Sequence, residues 1–299
     1  MLTSLQKRIL ALAVLVTAAL AAAAWLGLLR PNSHPAAGAR EAVPAQFTDR
    51  NFFLTAIKRS RVRPLPEAVT GITVPHHLLA RDVMADVFAA AAGRSYGRVI
   101  IISPDHFSLG ASKISFATRD FNTVFGPLPA DSEFISRLAK VREAEPADFF
   151  YREHGIGAEL PFVKYFFPNA KLVAVALSIY AKPEDVAGLV DFLKRNIDSR
   201  TLLVQSTDFS HYLPASEADQ KDRQTMQVLD NIDQGADPQS IYGLTEPDNL
   251  DCLACQYVQS SIQSEFFKSR LHIFDHKNSQ DYATEPVAET TSYIPQIYY

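Results

Sequence analysis

The chain has 299 residues, with 29 basic and 33 acidic side chains and a net charge of -4. A hydrophobic fraction of 47% against 21% charged excludes an intrinsically disordered chain. The near-neutral balance, with no basic run, excludes a dedicated nucleic-acid binder, and two cysteines cannot build a disulfide scaffold.

In chain order, the first element is an uncharged run, 9–29, preceded by Lys7 and Arg8 and followed by Arg30. At about 1.5 Å rise per residue it is long enough to cross a bilayer. It reads as an N-terminal membrane helix, an uncleaved signal anchor. The alternative is a cleaved signal peptide with its site in the Ala-rich stretch 21–24. Either reading places the remainder outside the cytoplasm, anchored or secreted, because Lys7 and Arg8 stay inside. Residues 1–30 are thus the targeting segment, and the small, Pro-rich stretch 31–46 reads as a linker.

Residues 47–299 read as one α/β domain, a mixed, largely buried sheet flanked by helices. Short β-branched runs predict strands at 71–74, 98–103, 113–117, 171–177 and 201–206. Helix-length stretches fall between or after them at 78–92, 131–143, 184–196 and 216–234. The third comes after Pro183 and ends with Lys194 and Arg195, a sound start and stop. A further helix is predicted at 252–267, then strands at 270–274 and 290–294. Alternating strands and helices imply an α/β fold with a largely buried sheet.

The residues just past the strand ends carry the functional information. The run 71–74 leads into Pro75-His76-His77, 98–103 into Pro104-Asp105-His106-Phe107, and 201–206 into Thr207-Asp208-Phe209-Ser210-His211. Ligands bind at the carboxyl ends of strands in open α/β sheets, so His76, His106 and His211 are expected to share one site. Imidazole, carboxylate and thiolate are zinc or iron ligands. Glu153 and His154, before an apolar stretch, are expected to support that site from behind. Cys252 opens a predicted helix, where a thiolate is favoured. It could equally be a small apolar residue or, outside the cytoplasm, half of a disulfide with Cys255. His34, His272 and His276 lack a companion motif.

These blocks resemble the Memo family, AmmeMemoRadiSam system protein B of prokaryotes. The family pattern is Pro-His-Ala-Gly, Gly-Pro-Ser-His-His, Glu-His-Ser-Ile-Glu-x-x-Leu-Pro, Ser-Ser-Asp-Phe-x-His-Trp or -Tyr, and Cys-Gly-x-x-Pro-Ile. Here the corresponding residues are Pro75-His76-His77-Leu78, Ser103-Pro104-Asp105-His106-Phe107, Glu153-His154 through Leu160-Pro161, Ser206-Thr207-Asp208-Phe209-Ser210-His211-Tyr212, and Cys252. The Ala-Gly, the second histidine of the pair (now Phe107) and the Pro-Ile are absent. The resemblance covers about residues 70–295.

The family is similar in fold to class III extradiol dioxygenases, which use non-haem iron(II). The resemblance implies metal ligands His76, His106 and Cys252, with His211, beside Asp208, lining the same pocket. The residues themselves suggest His211 as general acid/base, since an imidazole suits proton transfer at neutral pH, with Asp208 orienting it and Glu153 and His154 behind. The implied cofactor is a divalent metal, iron(II) first, with zinc or copper as alternatives. The expected function is a membrane-tethered, metal-dependent oxidoreductase acting on an unnamed small molecule. The rival is a non-catalytic metal- or ligand-binding module at the cell surface.

Overall fold

The β-branched runs lie side by side in one sheet in the computed structural model, which describes residues 41–299. The chain runs α1 (Arg50–Arg59), β1 (Gly71–Val74), α2 (Arg81–Ala91), β2 (Arg98–Pro104), β3 (Ile114–Phe116) and a hairpin of β4 (Phe121–Thr123) and β5 (Gly126–Leu128). It continues with α3 (Ser132–Leu138), β6 (Ala144–Pro146), α4 (His154–Gly157), α5 (Leu160–Phe166), β7 (Lys171–Leu177), α6 (Pro183–Asn196) and β8 (Thr201–Ser206). The last part comprises β9 (His211–Leu213), α7 (Ala215–Asp233), α8 (Leu253–Ser261), β10 (Leu271–Ile273), β11 (Lys277–Asn278), β12 (Thr290–Tyr293) and β13 (Gln296–Tyr298).

Eight strands form the main sheet in the order β10-β13-β1-β8-β2-β7-β3-β6. The central four, β1, β8, β2 and β7, are mutually parallel, whereas β13 and β3 pair antiparallel on either side. Side chains alternate between the two faces, as strand geometry requires. Val99, Ile101, Leu202 and Val204 join Phe53 of α1, Val83 and Phe88 of α2 and Phe162 of α5 in one apolar cluster. Ile100, Ile102 and Leu203 join Phe134 of α3, Leu189 of α6 and Val258 of α8 in the other. The result is a three-layer α/β/α arrangement. Phe88 and Phe162, both fully buried, stack with ring centroids 5.5 Å apart; burying each side chain contributes about 2–3 kcal/mol.

Local signals explain most boundaries. Helix α6 begins at Pro183, the Asp185 carboxylate accepts the Lys182 N–H at 2.9 Å, and Lys194 and Arg195 sit in its last turn. The stretch 131–143 is helical only over Ser132–Leu138, because the chain then turns into β6. The strand expected at 290–294 is β12, but it belongs to a small sheet with β9 and β11. The strand that joins the main sheet is β13, which comes after Pro295 and pairs with β1 in the register Gly71 to Tyr298. A proline cannot donate to a ladder, so it separates the two strands.

Residues 42–46 lie inside the domain rather than in a linker: its compact unit begins at Ala42, and Val43 bridges Phe121. The membrane helix expected at 9–29 lies outside the described residues. Among the described residues, no helix is long and apolar enough to cross a membrane.

Candidate metal centre

Because β1, β8 and β2 are adjacent and parallel, their carboxyl ends open on one edge. Beyond Val74 the chain reaches His76; beyond Ser206, Asp208; beyond Pro104, His106. The Nε2 atoms of His76 and His106 face each other at 3.1 Å. On the opposite side of each ring, His76 Nδ1 lies 3.1 Å from Ser206 Oγ, and His106 Nδ1 lies 2.6 Å from Glu153 Oε1. Asp208 fixes the backbone here, its Oδ1 accepting the His76 N–H at 3.1 Å.

Glu153 is fully buried and caps α4. Its carboxylate accepts N–H bonds from Gly155 at 3.0 Å and from His106 at 3.1 Å. That cap brings His154 over the other two imidazoles, its ring centroid 4.0 Å from His106 and 5.2 Å from His76. Ligand atoms of His76, His106 and His154 all lie within 4.8 Å of one another and could hold a metal ion. Together with His77, Asp208 and His211 they line a cleft of about 500 Å³. His154, expected behind the site, therefore stands in it.

Two further expectations are corrected. Cys252 is disulfide-bonded to Cys255, and both sulfurs belong to the apolar cluster beneath α6 and α8. Cys252 is the N-cap of α8 (φ -152°, ψ 89°), directly after a bend at Asp251, and its side chain goes into the core. The residue turned toward the histidines is Asp251, whose Oδ2 is 3.2 Å from His76 Nε2 and 3.7 Å from His106 Nε2. Sequence reading missed it, since one position separates it from the family-like cysteine. Secondly, Asp208 does not orient His211. Its carboxylate is engaged by the His76 and His77 N–H groups and lies 3.5 Å from His76 Nε2, while His211 Nδ1 is buried without a hydrogen-bond partner.

Three carboxylates, Asp208, Asp251 and Glu153, converge on this imidazole group, which therefore favours positive charge. Burial alone would lower the His106 pKa, but hydrogen bonds to Asp251 and Glu153 outweigh it and push it up to about 10. Burial opposes the charged form of His76 too, yet Asp208 and Asp251 raise its pKa. Burial and repulsion from His106 and His76 push His154 down to about 4, so it is neutral at neutral pH. Burial would raise Asp251, but attraction from His76 and hydrogen bonds to His106 and His76 hold it well below the usual range. Asp251 Oδ1 is buried with no hydrogen-bond partner. A donor set of imidazoles and carboxylates with an unsatisfied buried oxygen fits a divalent cation.

The sheet order and the histidine cleft at its carboxyl edge define an α/β protein with a candidate metal centre. The Memo-like protein family matches residues 44–294, and the chain belongs to that family. A MEMO1 family protein of Methanopyrus kandleri is 25% identical over 177 residues, covering 56% of this chain and 62% of that protein. One from Methanococcus maripaludis is 30% identical over 164 residues, covering 51% of this chain and 57% of its own length. A third, from Caldivirga maquilingensis, is 29% identical over 178 residues, covering 56% and 61%. The chain thus spans 57% to 62% of the length of these curated relatives.

Proposed function

We propose that the domain is a metal-dependent enzyme of the oxidoreductase kind, acting on a small molecule in the cleft and held outside the cytoplasm by residues 9–29. One observation carries the metal reading. His76 and His106 present their Nε2 atoms to each other at 3.1 Å while Ser206 and Glu153 engage their Nδ1 atoms. Metal-binding histidines are held in this way, the second nitrogen fixed by a partner that sets tautomer and orientation.

In this reading His76 and His106 hold a divalent ion, iron(II) in preference to zinc or copper. Such an ion supplies Lewis acidity and a binding position for a substrate oxygen or O₂. Ser206 and Glu153 keep the two rings aimed at the ion. His154, neutral and on the open side, accepts a hydrogen bond from a bound hydroxyl or serves as a further ligand. His211, with its Nδ1 unpaired, is the proton-transfer group. Phe107 favours the rival reading of a binding module, because a 46%-exposed apolar ring stands beside His106 where the family pattern has an imidazole.

Metal analysis of the full-length chain, purified without chelator or affinity-metal resin, tests the centre. Anaerobic loading with iron(II), followed by O₂ uptake with phenolic compounds, tests the chemistry. Bound metal with no uptake across such compounds would favour the binding module.

A further inference from the structure

We propose that Asp251 is the third protein ligand, completing a two-histidine, one-carboxylate face with His76 and His106. This rests on the metal reading above and replaces the thiolate that the family pattern implies. The three atoms His76 Nε2, His106 Nε2 and Asp251 Oδ2 form a triangle with sides of 3.1, 3.2 and 3.7 Å. At metal–ligand distances of about 2.1 Å, neighbouring donors lie about 3.0 Å apart in an octahedral set and about 3.4 Å apart in a tetrahedral one. The observed sides fall close to these values.

The carboxylate is held in place. The Asp251 N–H donates to the Asp208 carbonyl at 3.1 Å, and the Asp208 N–H donates to Asp251 Oδ2 at 3.3 Å. This reciprocal pair ties the segment before α8 to the carboxyl end of β8. The antiparallel bridge between Phe209 and Leu250 reinforces it. Asp251 Oδ1 remains buried and unpartnered, a costly arrangement unless a cation is bound beside it. Cys252, by contrast, has no thiolate to offer, its sulfur being bonded to Cys255 on the other side of the chain.

Two consequences separate this centre from a His-His-Cys site. A set of nitrogen and oxygen donors suits iron(II), manganese(II), cobalt(II) or zinc and lacks the soft ligand that selects copper(I). Binding needs no reductant, because no ligand has to be freed from a disulfide.

Cobalt(II) is the probe, titrated into the full-length chain under non-reducing conditions and followed by its visible absorption. Wild type is expected to bind without a thiolate-to-cobalt charge-transfer band. Asp251→Asn should lose at least the 10–100-fold in affinity that removing even a supporting partner of a metal ligand costs. Cys252→Ser and Cys255→Ser should stay within about threefold of wild type, and His154→Ala should lose less than Asp251→Asn. Asp251→Cys, which guards against a misfolded Asn variant, should bind cobalt with the charge-transfer band newly present. Undiminished affinity in Asp251→Asn would overturn the carboxylate assignment alone, as would a thiolate band in wild type that Cys252→Ser abolishes. Failure of wild type to take up cobalt would overturn the metal reading itself.

Discussion

Glu153 Oε1 lies 2.6 Å from His106 Nδ1, and the same buried carboxylate accepts the N–H groups of His106 and Gly155. One side chain thus sets the tautomer of His106, the backbone that carries it and the start of the helix that delivers His154. Glu153→Gln keeps the shape and removes the charge. It should weaken metal binding by about 10–100-fold, read by cobalt titration, with little change in secondary structure by circular dichroism. An affinity equal to wild type would show that His106 is held by other contacts.

Gly155 packs against the same ring. A Cβ there would collide with Ser103 Oγ and sit 3.1 Å from His106 Cε1. Gly155→Ala should therefore push His106 out of line, lowering metal affinity and costing about 1–3 kcal/mol of stability, as overpacking typically does. Gly97→Ala, where nothing lies within 4 Å of the added carbon, is the control and should leave metal binding unchanged. Equal behaviour of the two variants in thermal melts and titrations would contradict the steric argument.

Away from the cleft, His276 Nε2 lies 2.8 Å from the buried Asp222 carboxylate, whose other oxygen accepts the Ser210 hydroxyl. The hydrogen bond to Asp222 raises the His276 pKa, burial opposes it, and the charges of Asp222, Asp219 and Asp275 add to the rise. A histidine whose folded pKa exceeds its unfolded value near 6.5 stabilises fully below that unfolded value. The stabilisation is lost as pH rises through the folded pKa. Wild type should then exceed His276→Gln in stability at pH 5–6, with the gap closing at alkaline pH. Denaturant melts across that range check it, and a gap that widens with pH would contradict the sign.

Orientation is tested at the other end of the chain. A reporter active only outside the cytoplasm, fused after Tyr299, should be active if the run 9–29 inserts with Lys7 and Arg8 inside. Activity of a cytoplasmic reporter alone would reverse the topology.

The parts of the site legible in the sequence are those that one strand end delivers. β-branched runs ending in Pro75-His76 and Pro104-Asp105-His106 announce both the strand and the residue presented at its edge. Their convergence comes from the parallel order of β1, β8 and β2. Asp251 was hidden because the chain bends there: its carboxylate faces the histidines while Cys252, the next residue, goes into the core. A one-position difference exchanges a cleft carboxylate for a core sulfur. His154 was misplaced because its position depends on how Glu153 caps a four-residue helix, which no periodicity records. β13 was missed for a similar reason: three residues after Pro295 carry too short a pattern to show that they pair with β1.

The most direct test is an anomalous-scattering map from crystals of the full-length chain loaded with cobalt(II), collected on both sides of the cobalt absorption edge. The account predicts one dominant peak in contact with the Nε2 atoms of His76 and His106, in a position that those two atoms, 3.1 Å apart in the structure, can share. A cleft without a peak, or a dominant peak elsewhere in the molecule, would contradict it.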